Sequence, residues 1–351
     1  MKTYRNLYPK LCSFENLYTA YRKARKGKRS KPEVAGFERN QEEFLFNIQE
    51  ELESKTYKPG RYRSFHIHEP KRRLISAAPF RDRVVHHALC QVMEPIWEAR
   101  FIFDSYANRL GKGTHRALDR AQAFSRKHEY VLQCDVRQFF PSIDHAILRA
   151  EFERLIADQD VLWLCGQILD SGRSVPADEY EMAWFAGDDL LAATRPRGLP
   201  IGNLTSQFWA NIYLNSLDQY VKRELKCGAY LRYVDDFLLF GNDKKELARW
   251  REKIIQKLAE LRLKLHEGRA QVYPVSTGIP FLGFRIYPDH RRLKPACGYR
   301  FQRRLAGLVK AARENPENLA GLNASIRGWV NHVRYGNTWG LRRAMLGRIR
   351  L

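Results

Sequence analysis

The stretch that decides the fold covers residues 231–240 and reads L-R-Y-V-D-D-F-L-L-F. Two adjacent acids, Asp235 and Asp236, interrupt an otherwise apolar run. A buried charge costs free energy unless it is paired or binds a metal, so a hairpin with both aspartates at its turn would resolve the conflict. The alternative is a plain Asx turn. Such turns usually bring Gly or Asn, but the residues that flank this pair are Val234 and Phe237.

A second acid ends a strand of the same kind. Residues 130–135 form a short apolar strand that ends in Asp135, and Val136 follows it. If the two strands lie side by side, their carboxylates would hold two divalent ions about 4 Å apart. Hard oxygen ligands, with substrate phosphates in the remaining positions, favour Mg²⁺. The pattern therefore indicates nucleotidyl transfer, in which such ions activate a hydroxyl and stabilise the leaving pyrophosphate.

Composition narrows the class of partner. The chain has 351 residues, 44% of them apolar, and a net charge of +22, which excludes global disorder and predicts binding to a polyanion. Nucleic acid is the first candidate and an anionic membrane surface the second. No stretch is long and apolar enough for a membrane span, and the N-terminus has no signal-peptide pattern. The six cysteines lie far apart, which argues against zinc and predicts free thiols in a cytoplasm.

The positive charge is concentrated towards the ends. Residues 22–31 hold seven Lys or Arg and no acid, and residues 291–351 hold fourteen Lys or Arg against two Glu. One such run would be read as a solvated face. Two runs on either side of an acidic centre favour the walls of a channel.

Periodicity divides the chain into two parts. Helical and strand patterns alternate up to about residue 288, starting with a basic helical segment over 1–55, and residues 289–351 read as a basic helical unit. A hairpin is predicted over 61–77, with its turn near Glu69 and Pro70. Residues 173–197 read as an irregular insertion, to which the sequence assigns no function.

Several motifs together resemble reverse transcriptases of the group II intron-like lineage. Tyr233-Val234-Asp235-Asp236 is similar to their Y-x-D-D box, and Asp135 with Phe140 is similar to their first palm motif. Residues 72–85 and 105–115 resemble the fingers motifs and the next block, 281–284 the primer-grip hairpin, and the basic tail the thumb. The resemblance implies an α+β right-hand polymerase fold: fingers and an antiparallel palm sheet over 1–288, and a helical thumb over 289–351. It also implies RNA-directed DNA polymerase activity.

One block resembles a particular branch. Most reverse transcriptases have Gln where this chain has Ile201, and Pro where it has Gln207. The substitutions resemble the enzymes of diversity-generating retroelements, which copy a template RNA with frequent errors at adenines. An apolar side chain would hold the nucleotide less strictly than a hydrogen-bonding one. The alternatives are that Ile201 is a core residue at a helix start, and that the chain is an antiphage or group II intron-type reverse transcriptase. A non-catalytic RNA-binding protein is the alternative from another class.

Roles for individual residues follow from the resemblance. The catalytic residues would be Asp135, Asp235 and Asp236, which with the Val136 carbonyl would hold two Mg²⁺ ions, for which Mn²⁺ can substitute. Phe140 would exclude ribonucleotides, unless it is a core aromatic. The remaining nucleotide contacts would come from Lys71, Arg72, Arg73, Ile201, Gly202 and Gln207, and it is open which of the three cations grips the triphosphate. Primer and template would be bound by Phe281, Leu282, Gly283, Arg327, His332 and Arg334. Arg269 stands near the place of a family lysine.

The same resemblance implies the partners. These are a template RNA, a primer or cDNA duplex and deoxynucleoside triphosphates, with a small basic oligomeric accessory protein as a further partner and no membrane. The expected location is the cytoplasm of a bacterial, phage or archaeal host cell.

Overall fold

The N-terminal part of the chain is made of helices that pack around one long helix. The computed structural model describes residues 3–68, 72–173, 175 and 179–347. Four helices come first: α1 (Tyr8–Cys12), α2 (Phe14–Ala24), α3 (Pro32–Arg39) and α4 (Gln41–Glu53). Ser13 begins α2 by accepting a hydrogen bond from the Asn16 N–H, and the helix buries Leu17, Ala20, Tyr21 and Ala24. That spacing places them on one face, so α2 packs on its neighbours through a single apolar stripe.

A hairpin and the long helix follow. Strands β1 (Arg63–Ile67) and β2 (Arg73–Ala77) pair antiparallel, and α5 (Phe80–Glu98) comes directly after them. The predicted hairpin is present, although the residues predicted at its turn lie outside the described part of the chain. Helix α5 buries Val84, Val85, Leu89 and Met93 among others, and it forms the centre of the main core.

The central sheet is small and antiparallel. Its strands are β3 (Tyr130–Arg137), β4 (Tyr230–Tyr233), β5 (Asp236–Gly241), β6 (Lys264–Leu265) and β7 (Gln271–Pro274). The helices of the same part of the chain are α6 (Thr114–Ser125), α7 (Phe139–Ser142), α8 (His145–Glu153), α9 (Gln159–Ser171), α10 (Leu204–Arg223) and α11 (Lys244–Glu260). The strands run in the order β4, β5, β3, and both β6 and β7 pair with the other edge of β3. Strand β3, which carries Asp135 near its end, is therefore a direct neighbour of β5, which begins with Asp236.

The last part of the chain begins with a second sheet. Strands β8 (Ile279–Phe281), β9 (Phe284–Ile286) and β10 (Arg291–Leu293) form a three-stranded antiparallel sheet. Helices α12 (Pro295–Glu314), α13 (Leu319–Val333) and α14 (Trp339–Leu346) follow. The sequence predicted only helices after residue 288, and β10 corrects this. Arg291 explains the strand, because its guanidinium is buried and donates to Asp119 and Gln122 on α6, which fixes the returning chain.

The C-terminal helices have a small core of their own. Phe301, Leu305, Ala312 and Leu322 are buried together, and the Phe301 ring stacks on the Trp329 ring at 4.2 Å between centroids. The division into palm and thumb at residue 288 stays a prediction. No helix in the described ranges is long and apolar enough to span a bilayer.

Candidate active site

The turn between β4 and β5 holds the Asp235–Asp236 pair in a strained conformation. Tyr233 pairs with Asp236, so Val234 and Asp235 form the connection. Val234 has φ 58°, in the left-handed region that a β-branched side chain rarely adopts. A residue persists in such a conformation only where its surroundings fix it.

A buried arginine fixes this turn from below. The Arg232 side chain is 1% exposed, and its guanidinium donates to the Val234 carbonyl at 2.9 Å. The same group pairs with Asp218 on α10, at 2.6 Å from Nη2 to Oδ2 and 2.8 Å from Nε to Oδ1. Asn211 accepts a further hydrogen bond at 3.1 Å. The sequence assigned no role to Arg232, although an arginine inside an apolar strand was a readable signal.

The three predicted aspartates come together at one edge of the sheet. Asp135 lies directly opposite Asp236 in the register of β3 with β5, and the Val136 N–H donates to the Asp235 carbonyl at 3.2 Å. Opposed residues of an antiparallel pair point to the same face, with Cβ atoms about 4.5–5.5 Å apart. Burial and the charge of Asp135 raise the pKa of Asp235 to about 6 and that of Asp236 to about 7. Negative charge is thus in excess at this edge.

Arg269 balances part of that charge. Its Nη1 lies 2.7 Å from Oδ2 of Asp135. Within the described ranges, no three His, Cys, Asp or Glu side chains converge in a metal-binding arrangement. The predicted ligands nevertheless fit a hard divalent cation, because Asp135, Asp235 and Asp236 offer carboxylate oxygens and Val136 offers a backbone carbonyl. The negative charge of the carboxylates is only partly neutralised by Arg269.

The loop before α10 is bonded to the hairpin of β1 and β2. The Ser76 N–H on β2 donates to the Ile201 carbonyl at 2.8 Å. Asn203 accepts from the Ala78 N–H at 3.0 Å and donates to the Ser76 carbonyl at 2.8 Å. Gly202 has φ 120°, and a Cβ there would lie 3.0 Å from Cγ2 of Ile75, so only glycine suits the position. The half-buried Gln207 lies one turn into α10.

The predicted triphosphate cations separate into distinct surroundings. Arg73 is exposed, and its positive charge opposes the rise in the pKa of Asp235, so it stands on the side of the aspartates. Arg72 is instead within 3.2 Å of the His66 ring nitrogen on β1. Lys71 lies outside the described residues. Of the two cations described, Arg73 is the one whose charge acts on Asp235.

The adjacent residues Phe139 and Phe140 on α7 have different surroundings. Phe139 is 2% exposed and belongs to the main core, whereas Phe140 is half-buried at its edge. The Leu199 N–H donates to the Phe140 carbonyl at 2.9 Å, which connects α7 to the loop that carries Ile201. Phe140, Ile201 and Gly202 are therefore parts of one bonded assembly.

The predicted primer-binding residues lie on a tight turn and on the last helices. Leu282 (φ 45°) and Gly283 (φ 89°) form the two-residue turn between β8 and β9. Phe281 is fully buried, so its side chain packs in the core and only its backbone is available to a primer. A Cβ on Gly283 would lie 3.5 Å from Nε2 of His332 and 3.8 Å from Sγ of Cys297, which brings α13 and α12 against this turn.

His332, one of the predicted primer-binding residues, packs among aromatic side chains. The His332 ring lies 5.0 Å from the Phe284 ring and 5.9 Å from the His115 ring, and His115 stacks on Tyr335 at 3.6 Å. Burial, with the nearby His115, lowers the pKa of His332, so its ring is uncharged at neutral pH. The other two predicted contacts, Arg327 and Arg334, are exposed and positive.

Aspartates on neighbouring strands of an antiparallel sheet, as found here, fit the class of right-hand polymerases. The chain belongs to the reverse transcriptase family, because residues 58–286 match the family described as reverse transcriptase (RNA-dependent DNA polymerase). The predicted fold and the predicted enzyme class, an RNA-directed DNA polymerase, are thereby confirmed.

Individual relatives agree with this assignment. Protein YkfC of Escherichia coli (strain K12) is 26% identical over 285 residues, which cover 70% of this chain and 71% of that protein. The group II intron-encoded protein LtrA of Lactococcus lactis subsp. cremoris is 26% identical over 183 residues, covering 51% of this chain and 28% of LtrA. Apo telomerase from Candida tropicalis superposes with a TM-score of 0.50 at 12% identity, over 82% of this chain and 60% of that chain, which shows the fold alone. The chain thus spans less than a third of the intron-encoded relative.

Proposed function

We propose that this chain extends a primer 3′-hydroxyl with deoxynucleoside triphosphates on an RNA template. The observation that carries the proposal is the direct pairing of Asp135 with Asp236 beside Asp235, with excess negative charge at that edge. Asp135, Asp235, Asp236 and the Val136 carbonyl would hold two Mg²⁺ ions, or Mn²⁺ in their place. Bound there, the ions would supply Lewis-acid activation of the hydroxyl and neutralise charge on the leaving pyrophosphate.

The other residues bind and orient the substrates. Arg73 binds the triphosphate, since a guanidinium matches phosphate oxygens in pairs. Phe140 lies against the sugar, and Gly202 lets the backbone approach the nucleotide closely. Leu282 and Gly283 hold the primer end, while Arg327 and Arg334 contact the duplex backbone. Arg269 would give up its 2.7 Å contact with Oδ2 of Asp135 if that oxygen became a metal ligand.

The metal assignment predicts a clean loss of synthesis. The double variant Asp235→Asn with Asp236→Asn should lower cDNA synthesis by at least about 10⁴-fold, since both charged metal ligands are removed. RNA binding should change by less than about threefold, because the basic surface is intact. Primer extension and filter binding on one RNA measure the two effects.

Asp289→Asn is the matched control, because that aspartate is 81% exposed and distant in sequence from the turn. It should extend the primer as the wild type does. Retained synthesis by the double variant would refute the metal assignment. A wild-type chain that binds RNA but never extends a primer would favour the non-catalytic RNA-binding alternative.

We further propose that the enzyme is error-prone and serves a diversity-generating retroelement. Support comes from Ile201, whose apolar side chain gives no hydrogen bond to a base or sugar, while its carbonyl is already bonded to Ser76. A site without that hydrogen bond discriminates less between paired and mispaired nucleotides.

The substitution Ile201→Gln tests this role. It should lower misincorporation opposite template adenine by about fivefold, because a hydrogen-bonding side chain is restored at the nucleotide. The readout is sequencing of cDNA made on a defined RNA. Ile201→Val keeps an apolar side chain and should keep the error spectrum. If the Gln variant makes the same adenine errors as the wild type, the fidelity role of Ile201 is wrong.

The second candidate is an intron-type or antiphage reverse transcriptase. The match to an intron-encoded protein favours it. Wild-type cDNA free of adenine-specific errors would select this candidate, and neighbouring genes would then separate the intron role from the antiphage role. In the retroelement role, a small basic oligomeric accessory protein is a further proposed partner, and the proposed location is the cytoplasm of a bacterial, phage or archaeal host.

A further inference from the structure

Residues 179–197 lie between α9 and α10 and have no part in the function proposed above. They are largely irregular, apart from a short 3₁₀ turn over Leu190–Thr194. The segment nevertheless contacts the nucleotide side of the site at both of its ends.

The first end contacts the residues that precede Phe140. The Glu181 carboxylate pairs with the Arg137 guanidinium, and the Glu181 N–H donates to Oε1 of Gln138 at 3.2 Å. Nearby, Glu179 lies 3.7 Å from the His66 ring nitrogen on the fingers hairpin. This end therefore bridges β1 and the end of β3.

The second end contacts the residues that follow Phe140. The His145 N–H donates to the Pro196 carbonyl at 3.0 Å, and the Gly198 N–H donates to the Ile143 carbonyl at 2.8 Å. Together with the bond from Leu199 to Phe140, these contacts hold residues 137–145 from two directions.

A buried ion pair anchors the middle of the segment. The Asp188 side chain is 2% exposed and accepts from Arg195 at 2.5 Å and from Arg262 at 2.6 Å. The Phe185 N–H donates to it as well, at 3.1 Å. Arg262 follows α11 and also reaches Asp144 at 3.5 Å. Charge-assisted hydrogen bonds of this kind are short and directional, so they fix the segment relative to the palm.

Gln138 shows why an external support is needed. Its φ is 47°, a left-handed conformation that is unfavourable for a residue with a Cβ. The Ser142 hydroxyl donates to the Gln138 carbonyl at 2.7 Å, and the Glu181 backbone N–H donates to the Gln138 side-chain oxygen at 3.2 Å. The backbone that leads directly into Phe140 is thus kept in place partly by the segment.

We propose that residues 179–197 form a brace that positions Phe140 against the sugar of the incoming nucleotide. The inference rests on the proposed function. Glu181 and Asp188 are positioning residues, and neither touches the substrate. A fixed Phe140 excludes a 2′-hydroxyl by steric contact, whereas a loosened one moves aside and admits ribonucleotides.

The experiment compares Asp188→Asn and Glu181→Ala with Asp170→Asn. Asp170 is 59% exposed and its ion pair, at 2.7 Å, is with Arg149 on α8 rather than with a residue of 179–197, so it is the matched control. The readouts are the ratio of kcat/KM for deoxynucleotides to that for ribonucleotides, and amide hydrogen exchange over residues 138–142. Thermal melting checks that each variant folds.

Asp188→Asn should lower the ratio by about tenfold, near the lower end of what a single steric contact adds to discrimination. The Glu181→Ala change removes the ion pair with Arg137 but keeps the backbone N–H that bonds Gln138, so it should lower the ratio by only about threefold, and the control should leave the ratio unchanged. Exchange over 138–142 should be faster in both brace variants. Glu181 is largely exposed, so its variant folds even if loss of Asp188 does not allow folding.

Two results would overturn the proposal. One is unchanged discrimination in folded variants whose exchange is faster. The other is unchanged exchange over 138–142 in both variants, and this result counts whether or not the wild type extends a primer. Absence of primer extension by the wild type would instead refute the proposed function.

Discussion

Asp235 and Asp236 carry more negative charge than their surroundings balance. Burial and the facing Asp135 raise the pKa of Asp235 to about 6 and that of Asp236 to about 7, from the ordinary 3.8. Between pH 4 and 7 the folded protein therefore holds more protons at these groups than the unfolded chain does. By linkage, the free energy of unfolding falls as pH rises through that window in the absence of divalent cations.

This charge excess predicts a stabilising substitution. Asp236→Asn should raise the melting temperature by about 2 °C or more at pH 8 without divalent cations. Its melting temperature should also fall less than that of the wild type between pH 5 and 8, because one titrating carboxyl is gone. Calorimetry in chelator measures both effects, with Asp289→Asn as the control. An identical pH dependence in Asp236→Asn and wild type would contradict the charge excess.

At the residue scale, the sequence predicted the aspartates but not the group that positions them. A strand that ends in an acid is visible as a local pattern, so Asp135, Asp235 and Asp236 could be found. The support from Arg232 depends on Asp218 and Asn211 of α10, which only the tertiary fold brings together. Removing one partner of such a buried ion pair lowers the free energy of unfolding by about 3–5 kcal/mol. The turn between β4 and β5 therefore depends on the pair of Arg232 with Asp218.

At the scale of elements, Asn203 connects the hairpin of β1 and β2 to the start of α10. Its side chain is bonded to Ala78 and Ser76, and also to the Pro200 carbonyl at 3.1 Å. The residue therefore does not cap α10 with its side chain, although it is in the N-cap position. It fixes the loop of Ile201 and Gly202 relative to β2, the strand that begins with Arg73.

The substitution Asn203→Ala should weaken nucleotide binding. Three buried backbone groups lose their partner, at about 1–3 kcal/mol for each group left unsatisfied. The KM for deoxynucleotides should rise by about fivefold or more, with a lower melting temperature and a smaller change in kcat. Asn40→Ala is the control, because the Asn40 side chain donates an exposed hydrogen bond, to Glu43 at 3.5 Å, and alanine keeps the backbone bond to Phe44. A KM equal to that of the wild type would show that the loop is held by other contacts.

The elements themselves were predicted well where the signal is local. Hydrophobic periodicity found the hairpin, the long helix α10 and the strands on either side of Asp235 and Asp236. Strand β10 was missed because it has three residues and two of them are arginines. Its pairing depends on the burial of Arg291 against α6, more than 160 residues away in the chain, which no window of sequence contains.

At the scale of the whole molecule, the positive charge is the property that sequence alone gives most directly. Of the net +22, residues 291–351 contribute +12. The described helices of this region carry exposed arginines, Arg327 and Arg334 among them, and the three aspartates lie in the central sheet. The excess of positive charge and the three aspartates thus lie in different parts of the chain.

Arg327→Ala with Arg334→Ala should reduce the salt dependence of duplex binding. Each phosphate contact that is lost lowers the slope of log K against log salt by about 0.7–0.9. The double variant should therefore show a slope smaller by about 1.5, measured by fluorescence anisotropy on a primer–template. Arg149→Ala with Arg154→Ala removes the same charge near α8 and should leave the slope nearly unchanged. An equal slope for the wild type and the thumb variant would place the duplex elsewhere.

Cys297 gives the protein a natural position for an optical label. It is the half-buried thiol among six free cysteines, and the other five are buried. Its Sγ lies 3.8 Å from where a Cβ on Gly283 would be, at the contact between α12 and the turn between β8 and β9. A small thiol-reactive fluorophore would therefore attach there before any other site. Its emission would follow the separation of α12 from the turn between β8 and β9 in real time, without any cysteine having to be removed first.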